Sequence, residues 1–399
     1  MRLAAFALTA ALALAAPAHA QLKPEYAALE RFGKELDYAA TAPDFVGLAV
    51  AVVKNGKVVM MKTYGVREAG GTQPVTPDTV FRLASLSKGF AGTLAVMEEK
   101  DGKLDLQQKV NTLVPEFKLR RPGDAAKVTF EDVLSHRTGL PPYAYDNLLE
   151  AGTPPSQILA KYAGVKQTCS PGECFTYQNT AFNMITAAIE KGSGKSYAAE
   201  LHARILDPLG MTTASLGRSE LQATGNWARP HKRVKMTWAP TPVTDYYYKV
   251  PAAGGINASI TDMSKWLIAQ MGDRPDVLPL DVLEEAHRKR ISTPPETARQ
   301  RSLKTPVKET AYALGWRRYD YAGHQLITHS GSVEGYIAQI AWLPEDHAGI
   351  VVLSNTRGAR AAKIVPAWLD YQLNLPKTDW FRMDEITEAA NTPAAVSGE

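Results

Sequence analysis

Apolar residues concentrate in two pairs of short runs, one pair near each end of the chain. Residues 46–53 and 58–64 have strand-forming side chains and are separated by Asn55-Gly56, and Asn-Gly supplies the positive φ values of a type I′ turn. Residues 337–343 and 349–353 flank a second short turn, Pro-Glu-Asp-His. These patterns predict two strand pairs that meet in one antiparallel sheet built from both ends of the chain.

Between these strand pairs, apolar residues recur at the three- and four-residue spacing of helices, and Pro- and Gly-rich loops interrupt them. The fold class that we predict is α+β, an α/β sandwich. Helices flank the antiparallel sheet, and a mostly helical region is inserted over roughly residues 100–300. The predicted helices cover residues 26–39, 88–99, 181–191, 197–205 and 259–270.

The two ends of the sequence are predicted to lie outside the folded domain. Arg2 precedes an apolar run over residues 3–16, which is shorter than the roughly 20 apolar residues needed to cross a bilayer. Ala18-His19-Ala20 then has the form of a cleavage site. Residues 1–20 are therefore interpreted as a secretory signal, with an uncleaved anchor as the alternative. Residues 21–380 form one domain, and residues 381–399, with almost no apolar anchor, form a loose tail.

Composition narrows the class of partner. The 399 residues include 45 Lys and Arg against 41 Asp and Glu, a formal charge of +4. That slight excess does not indicate a nucleic-acid binder or a polybasic membrane surface. We therefore expect a small-molecule or peptide substrate, no nucleic acid, and no stable membrane span once the signal is removed.

The two cysteines of the sequence, Cys169 and Cys174, are separated by Ser-Pro-Gly-Glu. A Pro-Gly turn can bring them within bridging distance in an oxidising compartment, so we predict a disulfide and a periplasmic or secreted protein. A metal site would need more ligands, and the eight histidines show no metal-binding spacing. We predict neither a metal nor a cofactor.

Candidate chemistry begins in residues 81–88, FRLASLSK, where a strand-like stretch runs into a helix that starts at about Ser85. Residues three apart share a helix face, so Ser85 and Lys88 should lie side by side. Free backbone amides and the macrodipole of the first turn favour developing negative charge. A partly desolvated lysine there can lose its proton and activate the hydroxyl. Alone, the pair is more consistent with an N-cap serine and a solvated lysine than with a catalytic pair.

Two further motifs follow in chain order, Tyr177-Gln178-Asn179 and His329-Ser330-Gly331-Ser332. With these three motifs, the sequence resembles the serine β-lactamase and penicillin-binding-protein superfamily. The resemblance is strongest to the branch with class C β-lactamases, D-alanyl-D-alanine peptidases, D-aminopeptidases and family VIII esterases. It covers nearly the whole mature chain, including LSHRTGL at 134–140, PAAGG at 251–255, LGW at 314–316 and GIVVLSN at 349–355.

The resemblance implies a role for each motif. Ser85 would be the nucleophile of an acyl-enzyme mechanism, Lys88 would take or steer its proton, and Tyr177 would be a general base or proton relay. The backbone amides of Ser85 and Ser332 would form the oxyanion hole, on a strand edge opened by Gly331. Asn179 would hydrogen-bond the substrate amide and Lys88. The substrate-binding set implied is Asn179, His329, Ser330, Gly331 and Ser332.

The third motif departs from the β-lactamase pattern because His329 replaces the usual lysine. A histidine is mostly neutral at pH 7, so substrate carboxylate binding should weaken. Tyr177 should then stay protonated, and we hypothesise that Lys88 carries more of the base role than in a typical class C β-lactamase. Efficient β-lactam hydrolysis is therefore less strongly indicated than it would be with a lysine at this position.

The predicted function is that of an exported serine hydrolase that cleaves an amide or ester. The candidate substrates are β-lactams, D-Ala peptides derived from peptidoglycan, and small esters. The alternative is a catalytically silent penicillin-binding-like module. The basic clusters at residues 287–290 and 299–301 are interpreted as solvated surface. Tyr246-Tyr247-Tyr248 is interpreted as either cleft lining or loop packing.

Overall fold

The computed structural model describes residues 24–383, so the predicted signal over residues 1–20 lies outside the described residues. Its central layer is an antiparallel sheet of eight strands, and two smaller sheets have three and two strands. In chain order the strands are β1 Gly47–Lys54, β2 Lys57–Gly65, β3 Phe81–Arg82, β4 Ser215–Leu216, β5 His231–Val234, β6 Thr237–Pro240, β7 Ile256–Ala258, β8 Ile291–Ser292, β9 Val307–Tyr312, β10 Arg317–Tyr321, β11 His324–Val333, β12 Tyr336–Leu343 and β13 Ala348–Ser354.

Strands from near both ends of the described chain pair within the large sheet, whose order is β2-β1-β13-β12-β11-β10-β9-β8. Strand β1 pairs with β2 and with β13, placing Ala51 beside Val351. Both residues of the β1–β2 turn have positive φ, 50° at Asn55 and 70° at Gly56. These observations confirm the predicted fold class and its sheet built from both chain ends.

Helices cover both faces of the sheet. Alternate residues of β1 point to opposite faces, so Val50 packs in the core beneath the terminal helices and Ala51 packs in the larger core on the other side. The helices are α1 Pro24–Ala39, α2 Ser87–Lys100, α3 Phe130–Leu134, α4 Asp146–Glu150, α5 Pro155–Lys161, α6 Ile185–Ser193, α7 Tyr197–Leu201, α8 Arg218–Ala223, α9 Pro251–Gly254, α10 Ile260–Gln270, α11 Leu280–His287, α12 Pro294–Ser302 and α13 Ile364–Gln372.

The helix predicted over residues 197–205 is present as α7 followed directly by a π-helical segment, His202–Leu206. One predicted boundary was wrong. The tail predicted from residue 381 begins too early, because Phe381 is fully buried and its carbonyl accepts a hydrogen bond from Arg360. The packed chain therefore continues past residue 380, and residues 384–399 of the predicted tail lie outside the described residues.

The predicted disulfide between Cys169 and Cys174 is present. It lies at the start of the loop that leads to Tyr177. Among residues 24–383, no helix has the length and apolarity needed to span a bilayer.

Strand β11 is longer than its neighbour β10, and this difference creates the site. Pairing between them ends at Arg317 and Thr328, so the β10-facing edge of β11 beyond Thr328 is left without a strand. The 3₁₀ turn Ala84–Leu86, which carries Ser85, packs against this free edge. The free edge of β11 thus positions Ser85 beside the third sequence motif.

Candidate active site

Ser85 lies in a 3₁₀ turn rather than in the first turn of the α-helix, which begins at Ser87. Ala84, just before it, has a left-handed φ of 47°, a conformation that is costly for a residue with a Cβ. The Ser87 hydroxyl donates to the Ala84 carbonyl at 2.7 Å and accepts from the Ile256 amide at 3.1 Å. These bonds hold the turn so that the partly exposed Ser85 faces a cleft.

Lys88 is fully buried beneath Ser85. Its Nζ lies 3.3 Å from Ser85 Oγ, 2.8 Å from Asn179 Oδ1 and 2.9 Å from the Ala253 carbonyl oxygen. Burial lowers the pKa of Lys88 well below its usual value, the charge of Asp146 opposes this, and the charge of Arg317 adds to it. The amine therefore has both the position and the proton affinity of a base for the hydroxyl.

Tyr177 forms another wall of the same small space. Its side chain is 8% exposed, and Lys88 Nζ lies 4.7 Å from the centre of its ring. Burial raises the pKa of Tyr177, while a hydrogen bond with Ser85 and the charge of Arg317 lower it less strongly. The phenol therefore stays protonated at neutral pH, as the sequence analysis expected.

The loop that carries Tyr177 is fixed by His136, from the LSHRTGL segment. The His136 carbonyl accepts from the Thr176 amide at 2.8 Å, and its Nδ1 accepts from the Gln178 amide at 3.1 Å. The His136 ring also packs 4.3 Å from the ring of Tyr177. The hydrogen bonds on both sides of Tyr177 define where its hydroxyl points.

Asn179 differs in one respect from its predicted role. Its Oδ1 accepts from Lys88, but its Nδ2 donates to Asp146 Oδ2 at 2.6 Å. Asp146 is the first residue of α4 and was missed by the sequence analysis, since no motif connects it to Asn179. One amide hydrogen of Asn179 is thus held within the protein, rather than both being available to a substrate.

The free edge of β11 closes the site opposite Lys88. Ser330 and Ser332 are exposed to the cleft, whereas Gly331 is buried against the 3₁₀ turn. A Cβ on Gly331 would lie 2.2 Å from the Leu83 carbonyl oxygen and 2.9 Å from the Ser85 amide nitrogen. Only glycine allows β11 to approach the Ser85 backbone this closely.

His329 does not reach the cleft, so its prediction as a substrate-binding residue was wrong. It is 1% exposed, its Nε2 lies 3.0 Å from the Tyr312 hydroxyl, and its Nδ1 lies 2.9 Å from the Ser330 carbonyl oxygen. Burial, together with the charges of Arg317 and Lys88, lowers the pKa of His329 well below its usual value. The side chain is a neutral support behind the strand.

Arg317, at the start of β10, is a fixed cation that lines the cleft beside Tyr177, and no sequence motif indicated it. Its guanidinium lies 5.6 Å from the ring centres of both Tyr177 and Tyr312. It also lies 3.8 Å from Glu296, on α12. The LGW segment directly before it was the available signal, but only the pairing of β10 with β11 brings Arg317 to the cleft.

The basic clusters are solvated surface in part: the side chains of Arg288, Lys289 and Arg299 are 59%, 47% and 62% exposed, as predicted, whereas Arg290 is not. Arg299 lines the cleft and pairs with Glu296 at 2.7 Å. Burial opposes ionisation of Glu296, but the hydrogen bond from Arg299 and the charge of Arg317 lower its pKa to about 2. Arg290 is nearly buried and pairs with Glu131 at 3.2 Å. The Glu296–Arg299 pair is thus part of the cleft wall, whereas Arg290 and Glu131 do not line the cleft.

The resulting cleft has a volume of about 810 Å³. It brings Ser85, Tyr177, Asn179 and residues 330–332 together above Lys88. Tyr143 and Tyr247 lie at its rim, so of the three consecutive tyrosines Tyr247 lines the cleft. Tyr248 instead donates to Asn257 at 2.6 Å. Among residues 24–383, no three His, Cys, Asp or Glu side chains are grouped to hold a metal ion.

Comparison with known proteins gives a consistent picture. The family model described as Beta-lactamase matches residues 34–372. The unguisins hydrolase ungD' of Aspergillus campestris is 29% identical over 322 residues, covering 78% of this chain and 58% of that protein. Protein flp of Staphylococcus aureus strain COL is 26% identical over 326 residues, covering 80% and 61%. The chain thus spans less than two thirds of the length of these relatives.

Solved structures agree on the architecture. The octameric penicillin-binding protein homologue from Pyrococcus abyssi matches with a TM-score of 0.74 and 26% identity, over 88% of this chain and 78% of that one. A mutant class C beta-lactamase matches with a TM-score of 0.71 and 23% identity, over 89% and 99%. The second likeness concerns the fold alone.

Proposed function

The chain belongs to the beta-lactamase family, and from that premise we propose that it is a serine hydrolase that cleaves an amide or ester through an acyl-Ser85 intermediate. The observation that carries the proposal is the buried Lys88 amine 3.3 Å from Ser85 Oγ, at the floor of an open cleft. A lysine with a lowered pKa beside a serine is an activated nucleophile pair. The catalytic set proposed is Ser85, Lys88 and Tyr177.

In the proposed acylation, Ser85 Oγ attacks the substrate carbonyl carbon and its proton passes to the neutral Lys88 amine. The developing oxyanion is stabilised by two backbone amides, that of Ser85 on the 3₁₀ turn and that of Ser332 on the free edge of β11, which Gly331 allows to approach the turn. The carbonyl–leaving-group bond then breaks, and the leaving group takes a proton relayed through the Tyr177 phenol. Water repeats the same steps to release the acid.

The electrostatics favour Lys88 over Tyr177 as the base. Burial lowers the pKa of Lys88 and raises that of Tyr177, so at neutral pH the amine can accept a proton and the phenol can donate one. The neutral His329 supplies no cation that would reverse this order. This supports the hypothesis that Lys88 carries most of the base role.

The charge at the cleft supports substrates with a carboxylate as well as neutral esters. Arg317 provides a fixed cation that His329 does not, but Glu296 at 3.8 Å offsets part of its charge. β-Lactams and D-Ala peptides carry the matching carboxylate, whereas small esters do not need this contact. The disulfide supports the proposed export to an oxidising compartment.

Labelling with a fluorescent penicillin and a fluorophosphonate probe, with Ser85→Ala as control, tests the proposal. We expect at least one probe to label the parent and neither to label the variant. Comparing nitrocefin, a nitrophenyl butyrate and a D-Ala-D-Ala peptide then ranks the substrates. A parent that takes no label and leaves all three substrates intact would be a binding module instead.

Arg317→Gln tests the carboxylate preference, with Arg318→Gln as the matched control because Arg318 binds the His287 carbonyl and Gln325 outside the cleft. Charged hydrogen bonds contribute about 1.5–3 kcal/mol, so KM for carboxylate substrates should rise roughly tenfold or more. The neutral ester should change less than about twofold. Equal losses on both substrate types would contradict a carboxylate contact.

A further inference from the structure

Asp146 lines the cleft and is joined to Lys88 through a single side chain, Asn179. It begins α4, and its amide donates to the Tyr143 carbonyl at 3.1 Å, which fixes the carboxylate beside the cleft floor. Its Oδ2 accepts from Asn179 Nδ2 at 2.6 Å. Its Oδ1 accepts no hydrogen bond within the described chain, so Asn179 is the side chain it orients.

A carboxylate accepts hydrogen bonds and does not donate them, whereas an asparagine amide has one accepting and one donating end. Asp146 therefore holds the NH₂ end of Asn179 toward itself and leaves Oδ1 facing Lys88. A flipped amide would place an oxygen against the carboxylate and lose the contact of 2.8 Å between Lys88 Nζ and Oδ1. The carboxylate thus selects one of the two orientations of Asn179.

This orientation determines where the lone pair of Lys88 points. A neutral amine has two N–H donors and one lone pair. Acceptors for both donors are in place, Asn179 Oδ1 at 2.8 Å and the Ala253 carbonyl oxygen at 2.9 Å. The remaining neighbour within hydrogen-bond distance is Ser85 Oγ at 3.3 Å. With both N–H groups engaged, the lone pair faces the hydroxyl that it has to deprotonate.

We propose that Asp146 is a positioning residue of the acylation step: it fixes the Asn179 amide so that Lys88 presents its lone pair to Ser85. The inference rests on the proposed function, because it assigns Asp146 a part in activating the same serine. Asp146 reaches neither Ser85 nor Lys88 by a direct hydrogen bond; its effect is transmitted through Asn179.

The charges around Lys88 give a readout that a purely structural role would not affect. The titratable groups facing it are Asp146 on α4, Arg317 on β10, His329 on β11, and Tyr177 and His136 on loops. The two histidines are neutral and Tyr177 is a phenol, so among these groups Asp146 supplies the negative charge that opposes the effect of Arg317 on Lys88. Burial raises the pKa of Asp146, and the hydrogen bond from Asn179 and the charge of Lys88 act in the other direction. Without the negative charge of Asp146, the pKa of Lys88 should fall further.

The experiment measures the rate of fluorophosphonate labelling of Ser85 against pH in the parent, Asp146→Asn and Asp146→Ala. The rate falls in acid as the Lys88 amine becomes protonated, so a lower pKa moves this fall to lower pH. Asp146→Asn keeps an oxygen that can accept from Asn179 but removes the charge. We expect its plateau rate to be within about threefold of the parental rate. The acid limb of its pH–rate profile, where the rate falls as the pH drops, should shift to lower pH by roughly half a pH unit or more.

Asp146→Ala removes both the charge and the acceptor. Its plateau rate should fall at least about tenfold, because Asn179 is then free to flip and Lys88 loses its fixed direction. Glu150→Gln is the matched control: it removes a negative charge from the same helix, and its partner is the Tyr247 hydroxyl rather than Asn179. This control should leave both the plateau and the acid limb unchanged.

Two results would overturn the inference. Either Asp146→Ala labels at the parental rate, or Asp146→Asn and Asp146→Ala lose rate together with no movement of the acid limb, as a folding defect would produce. Titrating the Lys88 Nζ resonance in a Ser85→Ala background checks the same shift without activity. A parent that never labels Ser85 refutes the proposed function itself, whereas a reactive parent with indifferent variants refutes the role of Asp146 alone.

Discussion

At the scale of single residues, the site depends on one buried amine whose surroundings oppose its charge. Among residues 24–383, no carboxylate contacts Lys88 directly; its nearest partners are the amide oxygen of Asn179, the carbonyl of Ala253 and the hydroxyl of Ser85. Removing a lysine from water without a paired anion favours its neutral form. Burial that costs stability thus produces a base that stays neutral at a lower pH than an exposed lysine would.

Replacing Lys88 tests whether its amine is the base that activates Ser85. Lys88→Met keeps the length of the side chain but removes the amine, and loss of a general base typically costs 10²–10⁴-fold in rate. We expect the labelling of Ser85 to slow by at least about 100-fold. Lys100→Met, at the exposed end of the same helix, should retain the parental rate. Acylation of Lys88→Met as fast as in the parent would remove Lys88 from the base role.

The pH profile of the parent follows from the same residue. Because burial lowers the pKa of Lys88, the neutral amine persists below the pH at which an exposed lysine would be protonated. Activity should therefore persist below the pH at which an exposed lysine becomes protonated and be lost as the pH falls through that lowered value. The raised pKa of Tyr177 adds no loss on the acid side, since the phenol is already protonated there.

At the scale of elements, the decisive contact is between the free edge of β11 and the 3₁₀ turn Ala84–Leu86. The two elements approach so closely that a single methyl group at residue 331 would overlap the Leu83 carbonyl and crowd the Ser85 amide. Backbone atoms cannot swing aside as a flexible side chain can. The geometry of the proposed oxyanion hole is therefore set by the absence of a side chain.

Gly331→Ala should separate these two elements. We expect the labelling rate of Ser85 to fall by roughly 100-fold or more, the size seen when one oxyanion-hole donor is lost. Gly164→Ala is a suitable control, because a Cβ there would meet only the Tyr145 hydroxyl at 3.8 Å. If Gly331→Ala labelled as fast as Gly164→Ala, the strand edge would not take part in acylation.

At the scale of the whole molecule, the large sheet divides the core into two. The larger core, with α2 and α10, lies on the side of the site and includes Phe90 stacked on Trp266 at 3.9 Å. The smaller core lies beneath α1 and α13 and includes Phe32 and Trp368. Because β1 and β13 are central strands from opposite ends of the chain, both cores depend on the closure of the chain ends.

Trp368→Ala separates global stability from chemistry. Truncating a buried tryptophan costs about 3–5 kcal/mol, so the free energy of unfolding in urea should fall by that amount. At temperatures where the variant stays folded, the Ser85 labelling rate should stay within about twofold of the parent, since the sheet lies between the two regions. Gln372→Ala, near the end of the same helix, should change stability by less than about 0.5 kcal/mol. Slower labelling of Ser85 in a fully folded Trp368→Ala protein would mean that the two cores are coupled.

Local sequence determined much of the framework. Asn55-Gly56 fixed the first hairpin turn, and Ser259 begins α10 as its N-cap by accepting from the Asp262 amide at 3.2 Å. Two cysteines five positions apart were enough to predict the disulfide. These features involve residues within about one turn of each other, so propensity, periodicity and spacing contain the necessary information.

The chemistry of the site was decided by tertiary structure. Lys88 and Ala253 are 165 positions apart, and Asp146 and Asn179 are 33 apart. Arg317 reaches the cleft only because β10 ends its pairing at Thr328, and His329 turns away from it only because of how β11 packs. The sequence by itself determined which groups could react. The burial of these groups, their charge and the direction in which they point depend on long-range packing, which local sequence patterns do not contain. The fold alone therefore decided which of those groups meet.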